Sequence, residues 1–118
     1  MKYKFECPLT QIPVTLILGR KDQLRKIVSD NVSDNCHDAE VCVLSDKNDI
    51  VKGILVWILD STAFYSMVHE TVHLVQDIFE ITGIPFDANN QEIIAYYQNF
   101  WVRKFWNKMS KFKDKKGT

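Results

Sequence analysis

Residues 54–73 read ILVWILDSTAFYSMVHETVH, and a change of period inside this stretch decides the fold. Ile54 to Leu59 is an unbroken apolar run, too short for a helix and suited to a strand. Past Asp60 the apolar residues return at helical spacing, through Phe64, Val68, Val72, Val75 and Phe79. Ser61 or Thr62 can cap this helix, Gly83 ends it and Pro85 prevents its resumption.

Working back from Ile54, the strand extends to Ile50, with Gly53 marking a bulge or a close approach. The polar turn Ser45 to Asp49 separates it from a short strand, Glu40 to Leu44, and the two suggest a hairpin. Residues 30–38 are turn-rich and acidic, a loop; Arg20 to Ser29 carries Leu24, Ile27 and Val28 at helical spacing, a short helix. Ile12 to Leu18, closed by Gly19, is a further strand. Working forward, Asp87-Ala88-Asn89-Asn90 resets the chain, with Asn89 or Asn90 as cap. A last helix runs from about Gln91 to about Lys111, with Ile93, Tyr97, Phe100, Trp101, Phe105, Met109 and Phe112 on one side. The order β-α-β-β-α-α predicts an α+β fold: a small sheet of about three strands covered by helices, in a single domain spanning residues 1–118.

A length of 118 residues suffices for one core without disulfides or metal. Fifteen basic and fifteen acidic residues cancel, but they are segregated: residues 101–118 carry seven Lys/Arg against Asp114, a net of +6, and residues 1–100 carry −6. The basic tail, about 108–118, reads as a solvated helix end whose charges suit the helix dipole. No base-reading motif accompanies it, so nucleic acid is not the partner expected. Cys7, Cys36 and Cys42 form no CxxC pair and no disulfide framework, which points to a reducing compartment. No apolar signal core follows Met1, and no apolar run is long enough to span a bilayer. A cytoplasmic protein with no membrane partner is expected; the oligomeric state is not legible.

The segment His69-Glu70-Thr71-Val72-His73 is HExxH inside the predicted helix. Positions i and i+4 share one face, so His69 and His73 can offer two imidazole nitrogens to one ion, for which zinc is the usual occupant. Glu70 is turned about 100° from His69 and can reach a bound water without being a ligand. A catalytic zinc needs a third protein ligand, and Glu92, nineteen positions after His73 in the first turn of the last helix, is the candidate. A helical hairpin through Gly83-Ile84-Pro85 would bring it back beside the first helix. Asp77 lies one turn past His73, too far along the axis to join both imidazoles easily, and Asp87 in the loop stays open. Cys36 and His37 fit no zinc-finger spacing and read as loop residues. Trp106 falls off the apolar stripe of the last helix and, with Val102, is a candidate partner surface.

HExxH on one helix and a Glu in E-x-x-A on the next is similar to the gluzincin clan of zinc metallopeptidases. The chain also resembles small zincin-like proteins of phages and prophages. In these an apolar strand precedes HExxH, and a GI-x-x-D turn and an E-x-x-A-Y helix follow. The corresponding stretches here are Ile54 to Leu59, His69 to His73, Gly83 to Asp87 and Glu92 to Tyr96. The resemblance implies a minimal zinc-dependent metallopeptidase acting on a polypeptide substrate. Zinc would be held by His69, His73 and Glu92, with Glu70 as general base. The strand of Ile54, Val56 and Ile58 would be the sheet edge that pairs with an extended peptide. Larger gluzincins often carry an acid four residues after the ligand Glu; here that position is Tyr96, and Tyr96 or Tyr97 could instead hydrogen-bond the oxyanion or a ligand His. The alternative is a zinc-stabilised binding or assembly module without turnover.

Overall fold

A computed structural model describes residues 1–20, 22, 39–59 and 64–117, with side chains as far as Lys111. The expected helix at Arg20 to Ser29, apart from Arg20 and Asp22, the loop at 30–38 with Cys36 and His37, the caps Ser61 and Thr62, and the side chain of Phe112 lie outside the described residues.

Four strands, β1 (Lys2–Glu6), β2 (Pro13–Gly19), β3 (Ala39–Ser45) and β4 (Val51–Leu59), form one mixed sheet in the order β1-β2-β4-β3. Two helices follow, α1 (Phe64–Thr82) and α2 (Gln91–Gly117), joined through a short 3-10 turn at Ala88–Asn90. The α+β class stands, with four strands rather than about three. The additional strand is β1, antiparallel to β2. Its signal was the alternation Lys2-Tyr3-Lys4-Phe5-Glu6, which leaves Lys2, Lys4 and Glu6 exposed and half-buries Tyr3 and Phe5.

β3 and β4 form the expected antiparallel hairpin, Val41 opposite Val56. Its turn is held by Asp46, whose carboxylate accepts from the backbone N–H of Asn48 at 2.8 Å and of Ile50 at 3.0 Å. β4 also pairs in parallel with β2, Val14 beside Ile54 and Leu16 beside Val56. A Cβ on Gly53 would stand 3.2 Å from the Pro13 carbonyl oxygen, so the glycine marks a close approach between these strands.

The expectation that Ile54, Val56 and Ile58 lie on a sheet edge is corrected: β4 is an interior strand, paired on both sides. Ile54, Val56 and Ile58 are buried on the face that meets the helices, while Leu55 and Trp57 are buried with Ile17 on the other. A strand enclosed on both faces reads as a continuous apolar run, so the pattern at 54–59 marks a centre. The edges are β1 and β3.

Met67, Leu74, Val75, Ile78 and Phe79 of α1 and Trp101, Phe105 and Met109 of α2 complete the main core. The apolar stripe of α1 is therefore rotated from the expected one: Phe64 and Val72 are exposed. Gly83, at φ 77°, ends α1 as expected. Its N–H donates to the Glu80 carbonyl and that of Ile84 to Phe79, the paired bonds of a Schellman cap. Asp87, rather than Asn89 or Asn90, caps the next turn, accepting from the Asn89 N–H at 3.0 Å. Helix α2 runs past Lys111 to Gly117. Among the described residues no helix is long and apolar enough to cross a membrane.

Candidate metal centre

Helix α1 is oriented by a part-buried polar seam. Gln98 of α2 donates to Thr71 Oγ1 at 2.6 Å and to the Val68 carbonyl at 3.3 Å, and Thr71 itself donates to Val68. Thr71 is the residue at the middle of HExxH and is fully buried. His69 and His73 lie two residues to either side of it, each about 160° round the helix, and so face away from α2. Both are exposed. Their Nε2 atoms converge to 3.1 Å.

Two nitrogens at about 2.0–2.1 Å from one zinc ion and this far apart would subtend roughly 100°, close to tetrahedral. The pair therefore fits as two ligands of such an ion. Without metal the same contact is a hydrogen bond between the two rings, one donating and the other accepting.

The pair opens into a groove of about 420 Å³ between α1 and the edge strand β3, lined by His69, Glu70, His73 and Asp77 on one side and Ala39, Glu40 and Val41 on the other. Burial, more than the nearby charge of Glu80, raises the pKa of Asp77 above the usual carboxylate range, partly offset by His73. Behind β3, burial first and then Glu40 push the Cys42 thiol up to about 11. The groove is acidic, and it places a carboxylate, Glu70, beside the imidazoles on the same helix.

Glu92 does not join them. It stands six residues before Gln98 on α2, about 120° round from the seam, just as the histidines are turned from it on α1. It lines a separate cavity of about 530 Å³ with Leu9, Ile84, Ile93, Tyr96 and Tyr97. Tyr96 and Tyr97 are therefore also away from the imidazoles. Tyr97 packs edge-on against Phe79, and burial raises its pKa. Asp87 is engaged in its cap. Among the described residues no group of three His, Cys, Asp or Glu side chains is gathered to hold a metal. Of the expected His69–His73–Glu92 set, the two histidines meet and Glu92 lines another cavity; the carboxylates beside the histidines are Glu70 and Asp77, with Glu40 of β3 bordering the groove.

The contribution of β3 was missed from sequence. Its signal was available: the hairpin places Glu40 to Leu44 directly beside β4, the strand that precedes the HExxH helix. No family model matches the chain, and no characterised protein or solved structure matches it.

Proposed function

We propose that this protein is a small metal-dependent peptide hydrolase whose centre is the His69–His73 pair. The observation that carries the reading is the 3.1 Å convergence of the two Nε2 atoms at the mouth of a groove walled by an edge strand. His69 and His73 would hold zinc, which when bound lowers the pKa of a water toward about 7 and polarises a carbonyl. Glu70 accepts the proton from the attacking water and returns it to the leaving amine. The role assigned to the Ile54–Ile58 strand passes to β3. An edge strand offers backbone N–H and C=O groups to an extended polypeptide, which would lie along Ala39 to Val41 and present a peptide bond to Glu70. Asp77, further along the same groove, would meet a basic or hydrogen-bond-donating side chain of the substrate.

The test is elemental analysis joined to cleavage of an unfolded protein such as casein. About one zinc per chain, lost in His69→Ala and His73→Ala, and cleavage abolished in Glu70→Gln with zinc retained, is the expected result. Undiminished cleavage by Glu70→Gln overturns the mechanism.

A second reading is favoured by one observation, the position of Glu92 in a cavity separate from the groove of the His69–His73 pair. In it the metal staples α1 and positions a binding surface without turnover. Chelation would then lower the melting temperature while no protein offered is cut.

A further inference from the structure

The face of α2 opposite Gln98 carries a second groove, of about 460 Å³, bounded by Phe5 of β1 and by Tyr96, Asn99, Phe100, Arg103, Lys104, Asn107 and Lys108 of α2. Asn107 is nine residues from Gln98 and so half a turn round from the α1 seam; the groove and the His69–His73 pair occupy different sides of the molecule.

Its composition differs from that of a merely solvated helix end. Among the described residues no Asp or Glu lines it. Among the described residues, Arg103, Lys104 and Lys108 form no ion pair, so the three charges are not neutralised from within. The ammonium groups of two of them stand over aromatic rings. The Lys104 ammonium is 5.4 Å from the centre of Phe100, and that of Lys108 is 5.0 Å from the centre of Tyr3. Tyr96 stands at one end, 65% exposed, braced edge-on by Tyr97 at 5.1 Å. Asn99 and Asn107 add amide donors and acceptors along the same groove.

We propose that this groove binds single-stranded nucleic acid, with Arg103, Lys104 and Lys108 on successive phosphates and a base stacked on Tyr96. Cations alone would suit any polyanion. An exposed, braced ring and two amides set among unpaired cations suit a ligand that carries planar bases beside its phosphates. A duplex hides its base faces and would leave Tyr96 without a role. An acidic peptide would engage the cations but neither ring nor amides in a defined way.

The experiment is fluorescence anisotropy of a labelled oligothymidylate with the full chain, across a salt series. Three phosphate contacts give a slope of log K against log salt of about −2. Each of Arg103→Gln, Lys104→Gln and Lys108→Gln should flatten it by about 0.7. Tyr96→Ala should weaken binding roughly tenfold at unchanged slope, the signature of lost stacking. All four positions lie on the surface of α2, and unchanged circular dichroism would show that the variants fold. No binding at low salt overturns the proposal. So does a slope unaltered in the triple Gln variant, which would place the contacts in the lysines beyond Lys108. Equal binding of duplex DNA, or equal competition by polyglutamate, would show that the groove reads charge alone and would also overturn it.

Discussion

Gln98 donates to Thr71 Oγ1 at 2.6 Å, and this part-buried bond to a fully buried threonine fixes the direction in which His69 and His73 face. With Thr71 turned inward against α2, the helical period puts both imidazoles outward, over the groove beside β3. The residue between the histidines is thus as much a part of the site as the histidines themselves. A valine at 71 would keep the volume but leave the Gln98 amide with only the longer bond to Val68. Thr71→Val should cost about 1 kcal/mol, read by chemical denaturation, because a part-buried donor loses the shorter of its two bonds. Gln98→Ala, which leaves Thr71 bonded to Val68, should cost less. Equal stability of Thr71→Val and the parent would mean that the seam does not orient the helix.

Zinc binding should depend on the pair and not on the carboxylate of the next helix. His69→Ala and His73→Ala are each expected to abolish stoichiometric zinc in dialysed protein. Glu92→Ala is expected to retain it, because Glu92 lines another cavity. Loss of zinc in Glu92→Ala, with an unchanged circular dichroism spectrum, would show that the metal-loaded chain draws Glu92 across to the imidazoles.

Cys42 should be a slow nucleophile. With its thiol pushed up to about 11 from an ordinary value of 9.0, its thiolate fraction near pH 8 falls about 100-fold. The greater intrinsic nucleophilicity of a more basic thiolate restores about tenfold. Alkylation by iodoacetamide, followed by peptide mass mapping, should therefore run roughly tenfold slower than for a free thiol. The raised value has a sign for stability as well. The folded state favours the neutral thiol, so the contribution is complete below pH 9.0 and is lost as pH rises toward about 11. Cys42→Ala should remove that part of the alkaline decline; an identical decline in the variant would refute the assignment.

Gly83 sits at φ 77° with nothing within 4 Å of where a Cβ would stand, so an alanine there meets conformational strain and no clash. Gly83→Ala should destabilise the protein by about 1 kcal/mol, seen as a lower denaturation midpoint at unchanged slope. A loss of several kcal/mol would point instead to a steric role.

Much of the architecture follows from local patterns. The apolar run at 54–59, the helical spacing after residue 64 and the Gly83–Pro85 stop are strong short-range signals. The hairpin of β3 and β4, the close approach at Gly53 and the course of α2 follow from the same patterns. β1 was legible too, in the alternation of residues 2–6, but five residues ending in a charged Glu compete weakly with longer apolar runs. The HExxH pair itself needs only the pitch of one helix, and the two imidazoles meet because i and i+4 share a face.

What the sequence by itself determined about this protein is therefore what a strongly patterned element specifies within itself: strand or helix for β2 to β4 and for both helices, the stop at Gly83, and which two histidines meet. The tertiary structure decided what depends on neighbours. It put β4 at the centre of the sheet and β3 at its edge, because strand order rests on long-range pairing that an apolar run does not encode. It also decided which flank of α1 faces α2, through the Gln98–Thr71 bond between residues 27 apart in sequence. That rotation turns Glu92 from the imidazoles and gives them β3, Glu70 and Asp77 as neighbours. A helix fixes the angles between its own side chains; only packing fixes the angle of the helix.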